Sequence, residues 1–261
     1  VAGRFYPARR EALEAELRDY TEKVHEKEKA IGAICPHAGY MYSGAVAGLV
    51  YSSILIPDNI VLLGPNHTGY GPAFSLMAEG EWEVPNGVFP INRLLAERIR
   101  TEVPFIQKDA SAHFYEHSIE VQLPFIAYFR PGATIVPISI MRAGLDELRE
   151  AGHGLARAIS WANRETLIVA SSDMSHYVPD EAARKKDRVA IDRVLAMDPE
   201  GLYSVVVSER ISMCGYLPSV MMLFAAKALG ATDARLVKYA TSAEVSGDYA
   251  QVVGYTGMVV R

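Results

Sequence analysis

Three apolar runs in this chain end in the same way, in a polar loop that carries histidine. Ile31-Gly32-Ala33-Ile34-Cys35 passes into Pro36-His37-Ala38-Gly39-Tyr40, and Asn59-Ile60-Val61-Leu62-Leu63 into Gly64-Pro65-Asn66-His67-Thr68-Gly69. Thr166-Leu167-Ile168-Val169-Ala170 passes into Ser171-Ser172-Asp173-Met174-Ser175-His176. Short unbroken apolar runs read as strands covered on both faces, which in α/β proteins means a parallel or mixed sheet between helices. In such sheets ligands bind beyond the carboxyl ends of the strands. If these three strands are parallel neighbours, three histidines and an aspartate meet at one edge.

The rest of the chain supplies the covering helices. From Pro7 to Lys29, Leu13, Leu17, Tyr20 and Val24 recur at helical spacing on a charged background. Helices are expected over Ser43 to Ile54, Leu94 to Thr101, His117 to Phe129, Leu145 to Trp161, Glu181 to Ala196 and Tyr216 to Leu229. Further strands are expected at Thr134 to Ile138, Arg235 to Ala240 and Gln251 to Val260, with a hairpin at Glu81 to Ile91 around Pro85-Asn86-Gly87. No repeat, low-complexity tract or Gly/Ser linker divides them. Residues 1–261 therefore read as a single α/β domain: a central, mostly parallel or mixed sheet with helices on both faces.

Composition narrows the function. The net charge is −5 and no basic block stands out, so nucleic acid is not an expected partner. The apolar stretch from Tyr216 to Ala226 ends at Lys227, short of the roughly 20 residues that span a bilayer, so no membrane partner is expected. Cys35 and Cys214 do not make a disulfide framework, and a cytoplasmic protein with two reduced thiols is the expectation. Nucleotide-binding glycine motifs, a Gly-x-Ser-x-Gly elbow and Cys-x-x-Cys pairs are all absent from the sequence.

The histidine loops have the makings of a metal site. Neutral imidazole is the commonest ligand for first-row metals, and two histidines with one anionic ligand leave open positions for substrate or dioxygen. Asp173 and Cys214 are the anionic candidates. Cys214 lies in Ser212-Met213-Cys214-Gly215-Tyr216 at an expected helix start, where a thiol pKa is lowered. Each of these residues alone reads better as a turn cap or a small core residue; His37 and His67 together point to function. Glu116-His117-Ser118-Ile119-Glu120 puts two carboxylates on one face of an expected helix, as a general acid or base or as a solvated helix start. His25 and His153 are expected to be exposed and inert, and His113, just before the Glu116 cluster, carries only a weak signal for lining a pocket.

Taken together, Val1-Ala2-Gly3-Arg4-Phe5-Tyr6-Pro7, Pro36-His37-Ala38-Gly39-Tyr40, Leu63-Gly64-Pro65-Asn66-His67, Glu116-His117-Ser118-Ile119-Glu120, Ser171-Ser172-Asp173-Met174-Ser175-His176 and Cys214-Gly215 resemble the Memo family over essentially the whole chain. The resemblance implies a fold similar to class III extradiol dioxygenases, which are non-haem iron enzymes. It implies His37, His67 and Cys214 as metal ligands, with Asp173 and His176 lining the same cleft. Ser175-His176 looks like the dioxygenase acid–base histidine, and Glu116-His117-Ser118 loosely resembles their Asp-His-Gly motif. The departure is Cys214, where those dioxygenases use a carboxylate; a thiolate favours softer ions.

The expected function is thus a metal-binding redox protein or oxidoreductase, with iron (Fe2+) ahead of copper or zinc. His176, His117 and Asp173 are its expected catalytic groups, and a small molecule or peptide its substrate. The resemblance also implies a radical-SAM protein as pathway partner. The alternatives are a non-catalytic module that binds a phosphorylated or anionic peptide in the same cleft, and a zinc-dependent hydrolase.

Overall fold

In the computed structural model, which describes residues 1–21 and 27–261, the three histidine-tipped runs become adjacent parallel strands. The chain runs α1 (Arg10–Tyr20), β1 (Gly32–Cys35), α2 (Tyr40–Ser53), β2 (Asn59–Pro65), β3 (Phe74–Leu76), β4 (Glu81–Val84), β5 (Gly87–Pro90), α3 (Arg93–Glu102) and β6 (Gln107–Lys108). It continues through α4 (Leu123–Phe129), β7 (Thr134–Ile140), α5 (Leu145–Ala162), β8 (Thr166–Ser171), β9 (Asp173–Val178), α6 (Asp180–Leu195) and α7 (Pro199–Ser208). The last elements are α8 (Tyr216–Ala228), β10 (Ala234–Thr241), α9 (Ala243–Ser246) and β11 (Val252–Val260).

The main sheet has the order β10-β11-β1-β8-β2-β7-β3-β6, with β9 also pairing with β11. Its centre, β1-β8-β2-β7, is parallel; β11 and β3 join it antiparallel on either side. The sheet is therefore mixed, within the range the apolar runs allow. Alternate residues of each central strand feed opposite cores, as the two-residue period requires. Ile34, Val61, Leu63, Ile168 and Ala170 pack with residues of α3, α5, α6, α7 and α8, while Ala33, Cys35, Ile60, Leu62, Leu167 and Val169 pack with α1, α2 and α4. Both faces of the strands are dry, which is why they read as continuous apolar runs rather than alternating ones.

Several local expectations change. The first helix stops at Tyr20, where Thr21 turns extended; Val24 and His25 lie outside the described residues. The expected helix from His117 begins only with a 3-10 turn at Glu120–Gln122 and becomes α-helical at Leu123, with Pro124 in its first turn, where a missing N–H costs nothing. Glu116 and Glu120 consequently do not share a helical face. The segment after β8, read as a loop, is the strand β9, and α7 and the short strands β3 and β6 are further elements beyond those expected. The hairpin forms as expected from β4 and β5.

Candidate metal centre

The parallel register decides where the loops meet. Cys35 lies opposite Ser171, so β1 and β8 finish level, and β2, with Leu63 opposite Ala170, ends about one residue beyond them. The loops leaving them bring His37 and His67 into edge-on contact, with ring centroids 5.3 Å apart. His117 joins from a segment that crosses the end of β2. Its ring stacks on His67 at 4.9 Å and stands edge-on to His37 at 5.4 Å. One ligating atom from each of His37, His67 and His117 lies within 4.8 Å of the other two. That crossing depends on Gly64: a Cβ there would fall 2.6 Å from Ile119 Cγ1 and 2.7 Å from Ser118 Oγ.

Glu116 is the anchor of this corner. Its buried carboxylate accepts from His67 N at 2.6 Å, His67 Nδ1 at 2.8 Å, and the backbone N–H groups of His117 and Ser118, both at 3.0 Å. Burial penalises the charge, but these donors outweigh it and hold the carboxyl down to about 2. An ionised Glu116 accepts only, so His67 carries a proton on Nδ1 and turns Nε2 away from it. This is the carboxylate–histidine arrangement that orients metal ligands in known sites. Burial lowers the His67 pKa and the Glu116 contact raises it, with a net rise.

His37 is buried, and desolvation, reinforced by its histidine neighbour His67, lowers its pKa to about 3. It is a neutral imidazole, the form that ligates. Its backbone N–H donates to Asp173 Oδ1 at 2.8 Å. The buried Asp173 carboxyl is raised by burial against the pull of the His37 and Ala38 backbone N–H groups. His117 is likewise lowered to about 4 by burial and by His37, and its outer face stacks on Phe5 at 4.4 Å.

Cys214 enters from the turn before α8, with Sγ 3.2 Å from His37 Nε2 and the Asp173 backbone N–H 3.3 Å from the sulfur. Metal–nitrogen and metal–sulfur bonds of about 2.0–2.1 and 2.3 Å set two ligands of one ion roughly 3.1–3.6 Å apart, depending on the angle between them. The His37–Cys214 pair fits that spacing. The sulfur is not part of the compact three-imidazole group. The expected lowering of the Cys214 pKa does not occur: burial and the Asp173 carboxylate raise it, outweighing the N–H groups of Asp173 and Gly215. A helix N-terminus is a weak field beside the loss of water. The thiol thus stays protonated until something more positive than a helix end displaces the proton.

His176 sits on β9 with Nδ1 2.9 Å from the carbonyl oxygen of Ser212, and its backbone N–H donates to Ser212 Oγ at 2.8 Å. A carbonyl only accepts, so Nδ1 donates to it and Nε2 is turned away from Ser212. The neighbouring Tyr177 is exposed and takes the left-handed conformation at φ 56°.

His113 lies apart from the cluster. It is buried against Trp82, neither ring nitrogen makes a hydrogen bond, and it takes no part in the cluster. His153 is exposed in the middle of α5, edge-on to Phe224. Phe5 and Ser171 lie inside motifs visible in the sequence, but nothing there marks their contacts with His117 and His37; Gln122 shows only as a lone amide inside the apolar run Val121-Gln122-Leu123-Pro124.

A family model described as "Memo-like protein" matches residues 1–259. A MEMO1 family protein of Methanosarcina barkeri is 43% identical over 263 residues, covering 100% of this chain and 98% of that protein. MEMO1 family proteins of Methanothermobacter thermautotrophicus (42% over 267 residues, 98% of this chain and 96% of that one) and Aquifex aeolicus (44% over 264 residues, 99% and 97%) are similarly related. Among solved structures, an uncharacterized protein, JW3007, from Escherichia coli K12 shares the fold at a TM-score of 0.61 and 15% identity, covering 88% of this chain and 100% of that one.

Proposed function

The chain belongs to the family of Memo-like proteins, and on that premise we propose that it is a metal-binding redox protein, an oxidoreductase acting on a small-molecule or peptide substrate. His37, His67 and Cys214 hold the ion, iron(II) ahead of copper or zinc, and His117 faces it from the same cluster. The observation that carries this reading is the convergence of three imidazoles, those of His37 and His117 held neutral by burial, with a thiol 3.2 Å from His37, at the carboxyl end of the sheet's parallel centre. Such a set is costly to desolvate and contributes nothing to packing that apolar side chains would not do better.

An iron(II) ion held by these residues would supply electron exchange. The chain's own groups do the rest. His176 offers Nε2 to take a proton from the substrate while Ser212 holds its ring. Asp173 pins the His37 backbone and places a carboxyl beside the Cys214 turn. His117, clamped between Phe5 and His67, orients substrate at the mouth.

Metal analysis after anaerobic purification tests the reading. Wild type is expected to carry iron near stoichiometry and the His37→Ala/His67→Ala double variant almost none; equal and negligible metal in both overturns it. Cys214→Ser and His117→Ala then separate the third ligand, since the true ligand loses metal and its neighbour keeps it.

A further inference from the structure

We infer that Ser171, itself held by Gln122, is a positioning residue that locks His37 as the Nδ1–H tautomer and so aims the Nε2 lone pair at the metal. The metal half of this inference rests on the function proposed above; the tautomer half rests on hydrogen bonds alone.

The hydrogen-bond count around Ser171 closes in only one way. Its hydroxyl proton goes to the Ser118 carbonyl oxygen at 2.6 Å, and that oxygen can only accept. The Gln122 amide is fixed in the same manner. Nε2 lies 2.9 Å from the Pro36 carbonyl oxygen, so that end is the NH2 group, and its other proton goes to Ser171 Oγ at 2.8 Å. Gln122 Oε1 accepts from the Tyr51 hydroxyl at 2.9 Å, which leaves no freedom to flip. Ser171 Oγ has now spent its proton and one lone pair. His37 Nδ1, 2.9 Å away, meets only the remaining lone pair and must therefore be the donor. In the other tautomer two lone pairs would face each other in a buried site, where no water can intervene.

The fold explains why this lock is at hand. Ser171 is the last residue of β8 and pairs with Cys35, the last of β1, so its side chain stands beside the start of the His37 loop. Ser171, Gln122 and Tyr51 come from three different elements, and none of them touches the Cys214 sulfur in the hydrogen-bond network. With Glu116 fixing His67 in the same sense, both imidazoles present Nε2 to a common point. Removing outer partners of this kind typically weakens metal affinity about 10–100-fold.

The test pairs a tautomer measurement with a metal titration. Two-bond 1H–15N correlation spectra of the metal-free protein at neutral pH report which His37 nitrogen bears the proton. Co2+ titration against a chelator reports affinity, and thermal unfolding checks that each variant is folded. Wild type is expected to show Nδ1–H. Ser171→Ala is expected to lose that uniform state and to bind Co2+ about 10–100-fold more weakly, and Ser171→Thr, which keeps the hydroxyl, to recover both. Should Ser171→Ala not fold, Gln122→Met, which frees Ser171 to turn, is expected to show the same two losses. An Nε2–H signal for His37 in wild type overturns the lock, as does an unchanged tautomer in folded Ser171→Ala. A changed tautomer with unchanged Co2+ affinity overturns its role in presenting the ligand. Absence of Co2+ uptake by wild type overturns the metal reading and that role with it, while the spectra still decide the tautomer.

Discussion

Glu116 shows how much one buried side chain can organise. Four N–H groups from three residues converge on its carboxylate, so the charge is solvated by protein rather than water. Glu116→Gln would put an amide NH2 against donors, and urea unfolding is expected to show a loss of roughly 3 kcal/mol. His113 makes the complementary point. Burial lowers its pKa to about 4, although the Ser75 backbone lies near enough to favour the charge without reaching hydrogen-bond geometry. The unfolded chain, with an ordinary histidine pKa near 6.5, takes up its proton first as pH falls. The resulting stability is complete above about pH 6.5 and is lost towards pH 4, roughly 3 kcal/mol in all. His113→Leu is expected to flatten that slope, read from unfolding free energies at several pH values; an unchanged slope would mean the ring is not buried neutral.

At the scale of elements, the site depends on turns that pass closer than ordinary side chains allow. The turn from Cys214 into α8 is the sharpest instance. A Cβ on Gly215 would lie 2.1 Å from the Ser171 carbonyl oxygen and 2.5 Å from Ser172 Cβ, so the turn lies directly on the junction of β8 and β9. The Gly215 N–H donates to Ser172 Oγ at 3.0 Å, which fixes the turn in place. Gly215→Ala is expected to cost roughly 1–3 kcal/mol from forced backbone movement and to weaken Co2+ binding by drawing the sulfur away from His37. Stability lost with Co2+ affinity intact would show that the turn does not place the thiol. β9 illustrates the same dependence. It pairs with β11 through an irregular register that opposes Asp173 to Tyr255 and His176 to Val253, with Asp173 buried and His176 half-buried.

For the whole molecule, the sheet brings together residues as far apart in sequence as His37 and Cys214, and an ion bound there would link stability to metal. At a free concentration about 100 times Kd, binding to the folded state alone adds about 2.7 kcal/mol, a rise in Tm of roughly 5–10 °C for a chain of this size. Chelator is expected to reverse it, and the His37→Ala/His67→Ala protein to show none of it; an equal rise in that variant would place the ion elsewhere. No helix among the described residues is long and apolar enough to cross a membrane. The apolar runs of β1, β2 and β8 determined the central strands by themselves, because a strand buried on both faces has no polar residue to spare. They also marked His37 and His67, since a strand's carboxyl end is a local feature of the chain. What the tertiary structure alone decided was the company those histidines keep. The role of Glu116, the stacking of His117 on Phe5, the protonated state of Cys214 and the hold of Ser171 on His37 all depend on burial and on contacts between distant segments, and neither quantity has a period or a spacing that can be read along a sequence.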